Sequence, residues 1–458
     1  MKQNLITYLL CTLCMALFSM AFPEKLAANE IPDAIGVNVS DTVSSTSLTV
    51  SSPDGALWIE SAQESIQVPR GQTVRLTIKG SIIEAMVGSE RIRGLEINLK
   101  SNAGTPLGLS TSAAVRYYAG TIEVSNKQGT LQVINRVPLE DYVASVVGSE
   151  YGFEDLEGSK AMAVVARTYA LHALQNGKEL LDNETFQVYR GLSHATPIAR
   201  QAASETAGQV LNYDNELIDA VYSASNGGKT AYNTSLWNTK ALPYLISRKD
   251  PWDEKSPHAE WDWSVSKDQL FSALSKTFGI NVKDVRAGKP GYDGRITEVE
   301  LRGSGTSKTI SGSAFRAAIA THFGSKALKS TYFKMNDRRN SYSFSGQGFG
   351  HGVGLSQWGA HFMADDGHSY AQILAFYYSN TSLKRLPSSG SSDQPLIELP
   401  VLLKKAPVAP PVWLTSESIF ERRRKSVVDA LNIWDTPNKG DAKLEEGEAK
   451  NSGKRTGW

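Results

Sequence analysis

Two segments that lie far apart in the chain carry the side chains best suited to chemistry. Glu150 lies near the end of the run 137–152 and is a lone carboxylate in a position suited to proton transfer. The segment 346–360 reads GQGFGHGVGLSQWGA and presents His351 and Gln357 among glycines, which leave room for another molecule to approach. We therefore predict that both segments line one cleft that contains an acid.

Helical periodicity predicts the elements that position this acid. Apolar residues recur at i, i+3, i+4 and i+7 from Leu139, and Gly148 is expected to end that helix, so Glu150 would lie just beyond its C-terminus. Unpaired carbonyl groups at a helix C-terminus disfavour a nearby anion and therefore favour a carboxyl that keeps its proton. The alanine-rich stretch 155–176 predicts a second helix, which is mostly buried and ends before Gly177.

Composition and patterning predict the organisation of the rest of the chain. With 458 residues, of which 41% are hydrophobic and 21% charged, the chain can form a substantial core. Alternating apolar residues indicate a β-rich region at 29–114, and residues 115–386 mix helical and strand patterns in one core domain. Residues 387–458 are rich in Ser, Pro and charged residues and are expected to be mostly disordered. The predicted fold class is α+β.

The first 28 residues have the pattern of a secretory signal peptide, with cleavage after Ala21 or Ala28. A retained membrane anchor is the weaker alternative, because the apolar run is shorter than the roughly 20 residues that span a bilayer. We therefore expect a secreted or periplasmic protein. Both cysteines, Cys11 and Cys14, lie in this leader, so the mature chain would have neither disulfides nor a thiol nucleophile.

The charge balance argues against a polyanionic partner. The chain has 48 basic and 47 acidic residues, and cleavage after Ala21 would remove Lys2 alone. A nucleic-acid-binding protein usually has a basic stripe with interleaved aromatic residues, and the body of this chain has none. We exclude nucleic acid as a partner.

Several short motifs occur in a fixed order between residues 115 and 385. They are YAGTIEV at 118–124, LEDYV at 139–143, ARTYAL at 166–171, QVYRG at 187–191, YSASNGGKT at 222–230 and GFGHGVGLSQWGA at 348–360. Each motif alone is weak, but together they resemble the stage II sporulation protein D and amidase enhancer family.

The resemblance implies an activity and a set of site residues. The better-known members are lytic transglycosylases that act on the glycan strands of peptidoglycan, and at their catalytic position this chain has Glu150. The glutamate would donate a proton to the leaving oxygen and later accept one, while the 6-hydroxyl of muramic acid attacks its own anomeric carbon. No cofactor is expected. The predicted substrate-binding residues are Arg167, Tyr169, Ser225, Asn226, His351, Ser356 and Gln357.

Three of these interpretations have a structural alternative. Arg167 either orients substrate or forms an ion pair with Glu140 or Asp141, and the two readings carry equal weight. His351 is either a substrate contact or a hydrogen-bonded turn histidine. Trp358 stacks on a sugar ring or, in the favoured interpretation, fills the core.

Departures from the family pattern keep a second function open. Tyr151-Gly152 stands where the family usually has Met-Pro, and Gly158-Ser159 replaces an alanine-leucine step, so the helix start and loop shape are expected to differ. The alternative is a protein that binds peptidoglycan without cleaving it and stimulates a cell-wall amidase.

Metal binding is not predicted. Some sporulation members carry a His and Cys cluster before the QVYRG segment, whereas this chain reads NETF at 183–186. The spacing of His351, His361 and His368 also matches no tight ligand pair.

Overall fold

The computed structural model describes residues 31–387 apart from 53–55, 102–104, 112–113, 184–185 and 238. The predicted signal peptide and the predicted tail from 388 onward lie outside the described residues. None of the described helices is long and apolar enough to cross a membrane.

Two sheets form the first part of the described chain, and their buried faces share one hydrophobic core. Their strands are β1 Ala34–Asn38, β2 Ser47–Ser51, β3 Leu57–Glu60, β4 Ser65–Val68, β5 Thr73–Lys79, β6 Ile82–Val87, β7 Glu90–Gly94, β8 Glu96–Ser101, β9 Leu107–Ser110, β10 Val115–Tyr118, β11 Thr121–Lys127, β12 Thr130–Pro138 and β13 Leu180–Leu181. One sheet has the order β13-β1-β12-β11-β8-β3-β4, and the other has the order β10-β9-β2-β5-β6-β7.

The β-rich N-terminal region is therefore confirmed. Buried and more exposed residues alternate along the strands, as the period-two pattern requires. The hairpin β11–β12 turns at Gln128 and Gly129, which both have positive φ, as a two-residue hairpin turn needs. Both sheets continue past residue 115, and the predicted domain boundary there stays a prediction.

Seven α-helices lie within the described residues, so the predicted α+β class is also confirmed. They are α1 Leu139–Glu150, α2 Leu156–Gln175, α3 Pro197–Glu205, α4 Lys267–Phe278, α5 Gly312–Phe323, α6 Gln357–Asp365 and α7 Tyr370–Tyr377. The predicted buried helix at 155–176 corresponds to α2, which Asp155 caps by accepting a hydrogen bond from the Gly158 N–H at 2.8 Å.

The expected end of α1 at Gly148 was wrong. The helix continues through Glu150, and a Cβ at position 148 would lie 1.7 Å from the carbonyl oxygen of His194. Gly148 therefore permits close packing against another segment and does not terminate the helix. This contact joins residues far apart in the chain, so local pattern could not reveal it.

A second hydrophobic core is inserted between two strands that pair with each other. Strand β16 (Tyr222–Ser223) runs parallel to β23 (Leu355–Ser356), with Tyr222 beside Leu355. The chain between them builds two three-stranded sheets against α4 and α5. The pairing brings the YSASNGGKT segment and the glycine-rich loop together. The remaining strands are β14 Gln209–Tyr213, β15 Glu216–Leu217, β16 Tyr222–Ser223, β17 Trp261–Ser266, β18 Val282–Ala287, β19 Glu298–Gly303, β20 Ser307–Ser311, β21 Phe333–Asp337, β22 Ser341–Gly346, β23 Leu355–Ser356 and β24 Ser382–Arg385.

Candidate active site

Glu150 occupies the last position of α1 and is 7% exposed. Its Oε1 accepts a hydrogen bond from the Val188 N–H at 2.7 Å. Burial, followed by the charge of Glu150, raises the pKa of Tyr142 and of Tyr222 well above that of an ordinary phenol. Both phenols therefore keep their protons around a carboxyl that lies mostly out of water.

Gln187 joins these two phenols. The Tyr142 hydroxyl donates to Gln187 Oε1 at 2.9 Å, and Gln187 Nε2 donates to the Tyr222 hydroxyl at 3.3 Å. The ring of Tyr169, a predicted substrate-binding residue, lies 6.5 Å from the ring of Tyr222, and burial with the charge of Asp219 raises the pKa of Tyr169 to about 12. Sequence reasoning missed Tyr142, Gln187 and Tyr222 as neighbours of Glu150, although all three lie inside the quoted motifs.

His351 lies on the backbone side of Tyr222. Its Nδ1 accepts from the Val353 N–H at 3.1 Å, and its ring also bonds to the Tyr222 backbone, so Nε2–H is the group that donates to that carbonyl. Burial, with the charges of Arg316 and Arg295, lowers the pKa of His351 to about 4. The imidazole is thus neutral near pH 7, and backbone groups occupy both ring nitrogens.

Glu150 and His351 are consequently brought to the same strand pair, with Tyr222 between them. The charge of Glu150 acts on the Tyr222 phenol, and the Tyr222 main chain holds the His351 imidazole. This is the geometry of a hydrogen-bonded turn histidine. Because both ring nitrogens are bonded to the backbone, His351 could contact a substrate only through its ring carbons and ring faces. The predicted binding role of His351 stays a prediction.

Ser225, Asn226 and Ser356 surround two buried aspartates that sequence reasoning missed. Ser225 Oγ and Ser356 Oγ donate to the Asp253 carboxylate at 2.7 and 2.5 Å. Asn226 Nδ2 donates to Asp250 Oδ2 at 2.6 Å. All five side chains are at most 1% exposed, so the three predicted sugar contacts have internal partners and hold the loops together. Their contact with a sugar stays a prediction; no motif pointed to either aspartate.

The aspartate pair makes stability depend on pH. Burial, then the charge of Asp253, raises the pKa of Asp250, and burial raises that of Asp253. Above about pH 4 the aspartates of the unfolded chain lose their protons, whereas the folded state keeps a proton on the pair. The resulting contribution to stability is therefore complete below about pH 4 and is lost as the pH rises toward and beyond neutrality.

We expect Asp250→Asn to weaken that dependence. Between pH 5 and pH 8, the free energy of unfolding of the variant should rise relative to the wild type by about 1 kcal/mol or more. Urea unfolding at three pH values measures the difference, with the exposed Asp262→Asn as control. If the free energy of unfolding changed with pH in the same way in the wild type and in Asp250→Asn, the raised pKa of Asp250 would be contradicted.

The two departures after Glu150 compensate each other. The Tyr151 hydroxyl donates to Asp155 at 3.1 Å, and a Cβ at Gly158 would lie 1.8 Å from that hydroxyl oxygen. Asp155 also contacts His361 Nδ1 at 2.8 Å, and Phe153 stacks on the His361 ring at 4.3 Å. The aromatic side chain at 151 and the Asp155 carboxylate, whose Oδ1 would lie 2.2 Å from that Cβ, together favour glycine at 158. Helix α2 still begins next to its Asp155 cap.

We expect Gly158→Ala to destabilise the protein by about 2 kcal/mol, because its methyl group overlaps the Tyr151 hydroxyl and the Asp155 carboxylate, whose Oδ1 would lie 2.2 Å from it. Adding Tyr151→Met should recover part of that loss, since the hydroxyl and the ring are then gone while the overlap with the Asp155 carboxylate remains. A double-mutant cycle of denaturant unfolding measures the coupling. Additive losses in the double variant would show that the two positions do not share this space.

Arg167 forms an ion pair with Glu140, which the sequence analysis gave as the alternative to a substrate-orienting role. Its Nε donates to Glu140 Oε1 at 2.9 Å, and its Nη2 also contacts the Glu140 carboxylate. The remaining N–H groups donate to backbone carbonyls, those of Ala163, Ala203 and Gln209, at 3.1 to 3.4 Å. All five N–H groups thus have internal partners, and the residue is 0% exposed.

Gln357 and Trp358 begin α6 and are both buried, at 3% and 4% exposure. Trp358 stacks on Phe362 at 5.8 Å and meets Phe153 edge to face at 4.8 Å, which agrees with the core interpretation. Among the residues that the structure describes, no three His, Cys, Asp or Glu side chains are grouped as metal ligands.

The geometry defines a class: an α+β protein in which a buried carboxyl at a helix end and a glycine-rich loop meet at one short parallel strand pair. The chain belongs to the stage II sporulation protein D and amidase enhancer family, so the predicted resemblance is confirmed. Residues 127–213 match the family described as "Stage II sporulation protein", and residues 207–354 match a domain of unknown function (DUF8618).

Two relatives from Bacillus subtilis (strain 168) show the extent of the similarity. Stage II sporulation protein D is 30% identical over 279 residues, which cover 55% of this chain and 76% of that protein. The amidase enhancer is 32% identical over 274 residues, which cover 50% of this chain and only 38% of that protein. This chain therefore matches well under half the length of the amidase enhancer.

Proposed function

We propose that this chain is an exported protein, secreted or periplasmic, that acts on peptidoglycan as a lytic transglycosylase. Membership of the family supports a role in the cell wall. The observation that carries the finer proposal is the buried Glu150, a residue 7% exposed whose Oε1 accepts a hydrogen bond from the Val188 N–H and whose charge acts on the protonated phenols of Tyr142 and Tyr222.

The reaction needs one group that gives and then takes a proton. Glu150 donates its proton to the glycosidic oxygen as the bond to the anomeric carbon breaks. The Val188 N–H stabilises the carboxylate that remains. The carboxylate then removes the proton from the muramic acid 6-hydroxyl as that oxygen bonds to the anomeric carbon, which leaves a 1,6-anhydro end and restores the acid.

The experiment is mass spectrometry of purified glycan strands after incubation with the protein. We expect products that end in 1,6-anhydro-muramic acid. Products with ordinary reducing ends would indicate hydrolysis, and uncut strands would contradict cleavage.

The second candidate is a non-catalytic enhancer of a cell-wall amidase. One relative is named an amidase enhancer, and the residues after Glu150 depart from the family pattern. Uncut strands, together with retained strand binding and faster amidase turnover, would favour this function.

A further inference from the structure

A polar groove runs beside the two glycines of the YSASNGGKT segment. Its volume is ≈ 670 Å³, which is within the usual range for a ligand site. Residues 227–229 line it together with Tyr332 and Gln347, which lie far downstream in the chain. Glu150 and Tyr222 are not among the described residues that line it. The groove is therefore a separate candidate binding site.

The floor of the groove is preformed. Gly227 and Gly228 each donate a backbone N–H to Asp253 Oδ2, at 2.6 and 3.1 Å. Both glycines have positive φ, and a Cβ at Gly227 would lie 2.7 Å from the Gln347 carbonyl carbon. The Gln347 N–H in turn donates to the Tyr332 carbonyl at 2.9 Å. The floor needs no ordering when a ligand binds, and this favours affinity.

The charged side chains of the groove are balanced in sign. Two lysines and two glutamates line it, namely Lys229, Lys249, Glu254 and Glu260. Lys249, Glu254 and Glu260 are exposed, and none of the three lies within ion-pair distance of an opposite charge in the described part of the chain. The four formal charges cancel, so the groove offers hydrogen-bond donors and acceptors without selecting a charged ligand. Such a lining suits a neutral ligand with many polar groups.

Two tyrosine rings add flat surfaces. Tyr332 lines the groove, and its ring lies against Gly294, where a Cβ would be 2.6 Å from the ring. Tyr292 is 97% exposed, and its carbonyl accepts a hydrogen bond from Lys229 Nζ at 2.7 Å. Because Lys229 lines the groove, this bond places Tyr292 at its rim. An exposed ring on an anchored loop is ready to pack against a ligand.

These features favour a saccharide over a peptide or a lipid. A pyranose packs one face on an aromatic ring, and its hydroxyl groups hydrogen-bond to charged side chains. A peptide needs apolar pockets for its side chains or a free strand edge. Among the described residues that line the groove, only Pro257 and Ala259 have purely aliphatic side chains, so an apolar anchor has no pocket there.

We propose that this groove is a second saccharide-binding site, where a glycan strand packs on Tyr292 and Tyr332. The hydroxyl and acetamido groups of the strand hydrogen-bond to Lys249 and Glu254. The inference rests on the proposed action on glycan strands and adds a place that holds a strand without cleaving it. Both glutamates of the groove are exposed, so it has no buried acid of the kind that Glu150 supplies.

The test uses a saccharide that the proposed reaction cannot cleave. Chitotetraose, the linear tetramer of N-acetylglucosamine, contains no muramic acid and so cannot yield a 1,6-anhydro-muramic end. Titration followed by NMR should shift the backbone amide signals of Gly227, Gly228 and Gln347. Calorimetry should show that Tyr292→Ala weakens binding about 3- to 10-fold, because a ring contact is lost. Glu254→Ala should weaken it by a similar factor.

Three controls separate the ring contact from other effects. Tyr292→Phe keeps the ring and should bind within about twofold of the wild type. Leu95→Ala removes another exposed large side chain, 73% exposed, from the region of the first two sheets and should leave the affinity unchanged. A tripeptide of alanine, glutamate and lysine, which carries both signs of charge, should not displace chitotetraose.

The outcomes distinguish this inference from the proposed reaction, because binding of chitotetraose does not depend on cleavage. No binding, equal affinity of the wild type and Tyr292→Ala, or displacement by the tripeptide would overturn the groove as a saccharide site even if strands are cut. Amide shifts at Val188 without shifts at Gly227 and Gly228 would also overturn it. Tyr292-dependent binding without 1,6-anhydro products from glycan strands would support the groove and contradict the lytic activity.

Discussion

Glu150→Gln lowers the rate of glycan-strand cleavage by about 10²- to 10⁴-fold, the contribution expected of general acid catalysis. The amide has the shape of the carboxyl and can still accept the Val188 hydrogen bond through its oxygen, but it cannot release a proton to the leaving oxygen. We expect strand affinity to stay within about twofold, since only proton transfer is removed.

The measurement follows 1,6-anhydro ends by mass spectrometry under single-turnover conditions, with strand binding measured separately. Glu154→Gln is the matched control, because it makes the same chemical change four residues away at an exposed position. Near-normal cleavage by Glu150→Gln would remove this residue from the mechanism. Loss of strand binding together with cleavage would indicate a structural carboxylate.

Arg167→Leu is expected to destabilise the fold by about 3 kcal/mol. The substitution leaves Glu140 without its cation and removes donors from three backbone carbonyls between α2, α3 and β14. The Glu140 side chain is 35% exposed and can regain water, so most of the loss comes from the buried carbonyls.

The chain offers a neighbouring control for this prediction. Arg200 pairs with Asp141, the residue after Glu140, but its side chain is 45% exposed. Arg200→Gln should therefore cost less than about 0.5 kcal/mol. Denaturant unfolding measures both variants. Unchanged stability of Arg167→Leu with a loss of strand binding would instead favour the substrate role that the sequence left open.

Features that depend on neighbouring residues could be predicted from the sequence. The period-two pattern and the helical spacing from Leu139 and through 155–176 predicted the α+β class, because both are local properties of the chain. The co-linear motifs identified the family and directed attention to Glu150 and the glycine-rich loop. The Val188–Glu150 and Gln187–Tyr222 hydrogen bonds and the pairing of β16 with β23 bring the two to one place.

Features that depend on distant partners were decided only by the tertiary structure. The sequence contains Arg167, Glu140 and Asp141 without indicating which acid the guanidinium meets. It likewise contains Ser225 and Ser356 without showing that both donate to Asp253. Gly148 looked like a helix end because its contact with His194 is invisible locally. A buried polar group must find a partner, but chain topology determines which distant segment supplies it.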